Sequence, residues 1–334
     1  MDWAPLRFKP LYQERVWGGA RLATRYGRVT PAGAPIGESW EIADRPGAVS
    51  VVAEGPLRGR TLSELMAVDA AGLLGDARPV GGRFPLLVKI LDAQADLSLQ
   101  VHPPAAKAAA LGGEPKTELW YFVETSPTAS VYAGLEPGIT RARFEAAVRD
   151  GSVAACIHRL PVAAGDVLFL PSGRVHALGA GVLLFEIQEN SDTTYRVFDW
   201  NRLGLDGKPR ALHLRESLES IDFSDVAPEL VRQPWVQEGP TQGRSLVKDA
   251  AFSVEARRAP AGCLSTLRLA RCRVLGLVSG ELLVCGGEGS LRLHPGEFCL
   301  LPAALGEVRL EAMGDAEWLS AEPGSGRRAA DGRS

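Results

Sequence analysis

Two histidines, a glutamate and a glutamine are the residues of this chain best placed to do chemistry together. In Asp96-Leu97-Ser98-Leu99-Gln100-Val101-His102 the apolar residues Leu97, Leu99 and Val101 alternate with polar ones. A strand turns alternate side chains to opposite faces, so Ser98, Gln100 and His102 share one face. Glu118 and His176 follow downstream. Two imidazoles, a carboxylate and an amide oxygen make an open site for Zn²⁺ or a similar divalent ion. Taken singly, each has a plainer reading: a hydrogen-bonded histidine, a solvated glutamine. Together they interrupt segments that otherwise read as buried strand.

Two cations accompany this set. Lys89 is the one charge in the apolar run from Phe84 to Leu91, and a buried ammonium needs a partner or a water-lined cavity. Lys116 lies two residues before Glu118, so both point the same way on an extended segment. The densest polar stretch runs from Glu186 to Asp199. Its acids, amides, hydroxyls and guanidinium suit a polyol and a phosphate. The plainer alternative is a solvated hairpin bonded to itself, against which Tyr195 and Phe198 weigh. His158, His213 and His294 are read as structural or surface residues.

The elements that must position these groups are short. Leu119 to Val123, Val167 to Leu170 and Val182 to Gln188 are strand-like runs, separated by turns such as Ala164-Gly165-Asp166 and Pro171-Ser172-Gly173. Two helices stand out. Thr61-Leu62-Ser63-Glu64 fits a capping box whose helix ends near Gly75. The other spans Arg141 to about Asp150, closed by Gly151. Many short strands predict an all-β sandwich, barrel or jelly roll. Gly165-Asp166-Val167-Leu168-Phe169-Leu170-Pro171 and Gly296-Glu297-Phe298-Cys299-Leu300-Leu301-Pro302 share one pattern, which suggests two copies of a β unit. The second has no counterpart of His176. The expected domains are 1–225, carrying the site, a linker-like 226–245 around Pro228, Pro234 and Pro240, and 246–323. A polar tail, 324–334, is expected to be disordered.

Bulk properties narrow the class. The chain has 334 residues, 46% apolar and 23% charged, as in an ordinary soluble globular protein. A net charge of −3 and the absence of a basic block argue against nucleic acid. No apolar run approaches the roughly 18 residues of a membrane span, and no secretory signal is visible. The scattered Cys156, Cys263, Cys272, Cys285 and Cys299 lack a Cys-x-x-Cys pair and read as reduced thiols of a cytoplasmic protein. A metal–thiolate site is the sharper alternative.

Seven ordered motifs carry a family resemblance. They are Trp17-Gly18-Gly19, Gly37-Glu38-Ser39-Trp40-Glu41, Phe84-Pro85-Leu86-Leu87-Val88-Lys89 and Leu97 through Pro103. Lys116-Thr117-Glu118-Leu119-Trp120-Tyr121, Pro171 through His176, and Glu186 through Arg196 complete the series. Over residues 6–222 the chain resembles type I phosphomannose isomerase in its shorter bacterial form. The resemblance implies a mainly β fold of two cupin-type jelly-roll β-barrels with a few short helices. It implies one Zn²⁺ held by Gln100, His102, Glu118 and His176 in the first barrel. It implies interconversion of mannose 6-phosphate and fructose 6-phosphate, with Arg196, Lys116 and Asp192 as catalytic residues. Lys89, Glu186, Ser98 and Trp17 would then contact the sugar. Lys116 and Asp192 both remain candidates for the base that moves a proton through a cis-enediol.

This chain departs from longer members in two places. It lacks their helical insertion with an Asn-His-Lys-Pro-Glu type motif. It also has Pro104-Ala105-Ala106 after His102-Pro103, where an acidic residue is usual. Three other readings share the scaffold: an isomerase of unphosphorylated mannose, a sugar-binding cupin without turnover, and an Fe(II) oxygenase, which two histidines and one carboxylate also suit. A hexose 6-phosphate is the expected partner, with oligomerisation open.

Overall fold

The computed structural model describes residues 1–324. Strands dominate, and the helices are few and short. The expected tail lies outside the described residues apart from Gly324. Among the described residues no helix is long and apolar enough to cross a membrane. All five cysteines are free; Cys156, Cys272 and Cys299 are buried, whereas Cys263 and Cys285 are partly exposed.

The chain forms two compact units. One comprises residues 12–39 and 89–231; the other comprises 1–11, 40–88 and 232 onward. This differs from the expected division at 225. Residues 40–88 group with the C-terminal strands: Gly75 bridges Arg271, and the Cys272 amide donates to the Leu74 carbonyl at 3.1 Å. The expected linker at 226–245 is also corrected. Val236–Glu238 and Thr241–Lys248 pair as antiparallel strands, and the latter pairs with Phe252–Ala259. Pro234 and Pro240 fall just outside those strands, where a missing N–H breaks no ladder.

The two six-stranded sheets have the same order. One runs Leu11–Gly19, Ile36–Ile42, Leu86–Ala93, Val182–Glu189, Glu118–Thr125, Val167–Leu170. The other runs Val236–Glu238, Thr241–Lys248, Phe252–Ala259, Ala316–Pro323, Arg273–Ser279, Phe298–Leu301. Their companions also correspond. Leu99–Val101, His176–Leu178, Ser130–Leu135 and Ile157–Pro161 lie side by side, as do Leu264–Arg268, Glu307–Ala312, Leu282–Gly286 and Gly289–Leu293. Chain order alternating between two sheets in this way is jelly-roll order, twice over. The two copies of the Gly-acid-apolar pattern fall on the matching last strands of the two long sheets, as the repeat predicts.

In the first unit, strand parity sets the site. Leu99, Val101, Ala177, Tyr195 and Val197 pack outward with Phe144 and Ala147 of the helix Arg141–Asp150. Gln100, between Leu99 and Val101, therefore turns the other way, and it lies opposite both His176 and Arg196 in the ladder. Thr140 caps that helix by accepting from the Arg143 amide at 3.3 Å, and Gly151 ends it at φ 82°. On the facing sheet, Trp120 and Phe122 enter the apolar interior beside Leu91, Leu168 and Leu184. Glu118, two residues before Trp120, shares that face at the polar end. Thr61 and Glu64 make the full capping box at the start of Leu62–Leu74.

Candidate active site

The strand starts at Glu118 and His176, and the strand end before His102, bring three donors to one point. Glu118, His102 and His176 are 0%, 2% and 1% exposed. His102 Nε2 lies 3.1 Å and His176 Nε2 2.9 Å from Glu118 Oε1. Among the described residues this is the one His/Cys/Asp/Glu group able to hold a metal ion, which removes the thiolate alternative there.

The remaining ring nitrogens settle the tautomers. His102 Nδ1 is 2.7 Å from the Thr193 carbonyl, and His176 Nδ1 is 2.9 Å from the Arg174 carbonyl. A carbonyl only accepts, so each Nδ1 carries a proton and donates. Burial first, then the Lys116 charge, pushes His102 down to about 3, so its Nε2 presents a lone pair. The His102 Nε2 lone pair and the Glu118 oxygen are acceptor facing acceptor, with His176 Nε2 aimed at the same oxygen. A cation among them relieves that conflict, and backbone carbonyls fixing the far nitrogens are the usual support of such ligands. These residues fit a divalent metal.

Gln100 stands beside the group, its amide 3.3 Å from His176 Nε2. A half-turn of that amide exchanges its nitrogen and oxygen at this position. Lys116 is buried, with Nζ 2.9 Å from Glu118 Oε2 and 3.3 Å from His102 Nε2. Burial works to raise the Glu118 carboxyl, but the Lys116 ammonium outweighs it and holds it well below the usual carboxylate range.

A cavity of about 600 Å³ lies beside this point, reached through Gln100 and Lys116, which line it and touch the triad. Every other expected site residue lines it: Lys89, Lys116, Asp192, Arg196, Glu186, Ser98 and Trp17. Lys89 has the partners its burial demanded, Glu186 Oε1 at 3.0 Å and Glu38 Oε2 at 3.9 Å. Burial opposes the ammonium, yet Glu186, Glu38 and Asp192 raise its pKa. Burial likewise raises Glu186, with Lys89 acting against it; its other oxygen accepts from Trp120 Nε1 at 2.8 Å.

The polar stretch after Glu186 divides its labour by parity. Asp192, Thr194 and Arg196 line the cavity. Glu189 and Thr193 turn away and bind the adjacent segment 114–117: Glu189 Oε2 accepts from the Thr117 amide at 2.8 Å, and Thr193 Oγ1 from the Glu114 amide at 2.9 Å. Neither reading of this segment as wholly ligand-binding or wholly solvated describes it. His213 is structural, accepting from the Arg196 amide at 3.2 Å.

Arg15, Glu38 and Arg210, outside the expected set, also line the cavity. Arg210 and Arg202 both pair with Asp199, at 2.5 and 3.0 Å. Together with Arg196 they make three guanidiniums around one carboxylate. Arg196 donates to the Ala211 carbonyl at 2.8 Å, while its buried Nε has no hydrogen-bond partner among the described residues. Burial, then Arg210, lowers its pKa. The signal was present in Arg196, Arg202 and Arg210: a hairpin at Leu203 to Pro209, turned at Asp206-Gly207 with Gly207 at φ 73°, folds Arg210 back.

Comparison with known proteins agrees with this geometry. Residues 6–130 match the family model "Phosphomannose isomerase type I, catalytic domain". The chain is 37% identical over 313 residues to mannose-6-phosphate isomerase ManA of Bacillus subtilis, covering 93% of this chain and 97% of that protein. The crystal structure of a mannose 6-phosphate isomerase from Bacillus subtilis superposes with a TM-score of 0.86 at 28% identity, over 96% of this chain and 100% of that one. A mannose 6-phosphate isomerase bound with zinc and yttrium shares the fold at 18% identity, with a TM-score of 0.73 over 96% and 99% of the two chains. The chain is therefore a member of the type I mannose-6-phosphate isomerase family, enzymes of the cupin fold.

Proposed function

We propose that this enzyme interconverts mannose 6-phosphate and fructose 6-phosphate at the cavity above His102, Glu118 and His176, by proton transfer through a cis-enediol. The observation that carries the reading is the two imidazole Nε2 atoms converging on one buried carboxylate oxygen beside a cavity lined by Lys116, Asp192, Lys89 and Arg196. Gln100, His102, Glu118 and His176 would hold the metal, Zn²⁺ being suited to this mixture of nitrogen and oxygen donors. When bound, such an ion supplies positive charge beside substrate oxygens whose negative charge develops during reaction.

The chain's own residues account for the rest. A base takes the C2 proton of the open-chain aldose. The electron pair of that C–H bond becomes the C1=C2 double bond, and the C1 oxygen gains a proton. Return of a proton to C1, with loss of the proton on the C2 oxygen, completes the ketose. Lys116 and Asp192 are the wall residues able to carry these protons, one buried near the metal ligands and one at the rim. Trp17, Ser98, Lys89 and Glu186 orient the sugar hydroxyls. Arg196 opposes charge on the enediolate, and its excess positive surroundings with Arg202 and Arg210 favour a phosphorylated over a free sugar.

A coupled assay with mannose 6-phosphate and with mannose tests this reading. Turnover of the phosphorylated sugar, lost on chelation and restored by Zn²⁺, is the expected result. Turnover of mannose alone would transfer the assignment to the unphosphorylated sugar.

A further inference from the structure

The second jelly-roll set, residues 236–323, has a cavity of its own. We propose that this cavity is a second, non-catalytic binding site for a phosphorylated sugar or sugar alcohol.

The matching sheet orders identify what replaced the metal centre. Glu118 begins its strand opposite Leu170, the residue before Pro171. Arg273 begins the matching strand opposite Leu301, the residue before Pro302. A guanidinium therefore stands where the first set has its buried carboxylate, so the metal centre is not repeated at this end. Arg273 pairs with Glu322 at 2.5 Å and donates to Ser320 Oγ at 3.1 Å. Arg271 takes the other Glu322 oxygen at 2.8 Å. Glu255 lies between Arg273, at 3.5 Å, and Arg257, at 3.1 Å, and Arg257 reaches Glu238 at 2.5 Å. Three arginines and three glutamates thus alternate along one face and compensate one another.

The cavity beside this network measures about 580 Å³, close to that of the first set. Small-molecule sites span roughly 300–1,000 Å³. Glu255, Arg257, Thr266, Arg309, Trp318 and Ser320 line it. Trp318 and Ser320 are each 3% exposed, giving an apolar wall with a buried hydroxyl. The carboxylates of Glu238 and Glu255 can accept from sugar hydroxyls, and Thr266 can do both. Arg309 is exposed and has no ion-pair partner among the described residues. The network being balanced, its charge is the surplus one at the cavity. A ligand with several hydroxyls and one anionic group satisfies both features.

Calorimetric titration of the metal-loaded enzyme with sorbitol 6-phosphate tests this, because that compound has no carbonyl and cannot be isomerised. Two molecules bound per chain are expected. Arg196→Ala should weaken one of them, and Arg309→Glu, with an unchanged melting transition, should weaken the other by about tenfold or more. One molecule per chain in the wild type, or titrations of Arg309→Glu that match the wild type, would overturn the site. Free sorbitol binding as tightly at the Arg309-dependent site would overturn its anionic character.

Discussion

Each imidazole of the centre is held by a main-chain carbonyl, so the site depends on backbone as much as on its ligands. Thr193 supplies one such carbonyl from the polar stretch itself. Side chains around it can then be ranked by what they touch. In the proposed reaction Lys116→Met would remove the buried candidate for proton transfer and Asp192→Asn the exposed one. Loss of substrate C2 proton exchange with deuterated solvent in one variant, with exchange kept in the other, assigns the base; exchange kept in both would remove the two residues from proton transfer. Arg210→Gln takes one charge from the Asp199 cluster and should raise KM for mannose 6-phosphate about tenfold, with little change for mannose. An equal effect on both sugars would separate Arg210 from the phosphate. At this scale the sequence was informative wherever a polar residue interrupted an apolar alternation, as at Lys89, Gln100 and Glu186. It was silent on Arg15 and Arg210, because their pairing with Glu38 and Asp199 is made by turns of the chain and leaves no periodic trace.

The strand Leu99–Val101 works because its two faces have different neighbours: one packs on a helix, the other meets the cavity. Phe144 is fully buried between that helix and sheet. Phe144→Ala should cost about 3–5 kcal/mol in a denaturant titration and loosen the register of Gln100. Thr140→Ala removes only the helix cap, at about 1 kcal/mol, and should leave turnover alone. Equal loss of turnover in both would show that helix position, not sheet packing, governs the site. Both helices were legible because capping and C-terminal glycine are local signals. The strand Tyr195–Phe198 was visible only as parity in a polar stretch, since the strand it pairs with, Leu99–Val101, lies almost a hundred residues earlier.

For the whole molecule, the repeated Gly-acid-apolar pattern announced two equivalent sheets, and strand order confirms the duplication. The division of the chain was not legible. Residues 40–88 precede the site-bearing strands yet join the C-terminal unit, through pairings such as Gly75 with Arg271 that no local pattern encodes. A metal bound at His102, Glu118 and His176 binds only the folded arrangement, so it also stabilises the fold. At a free-ion concentration a hundred times Kd the gain is about 2.7 kcal/mol, which should be visible as a higher Tm and absent in Glu118→Gln. The decisive measurement is elemental analysis of protein loaded with Zn²⁺ and dialysed, paired with its rate on mannose 6-phosphate. One ion per chain in the wild type, and none in an inactive Glu118→Gln protein, is the expected result. Full turnover by a wild-type protein that retains no metal, or undiminished metal content in Glu118→Gln, would contradict it.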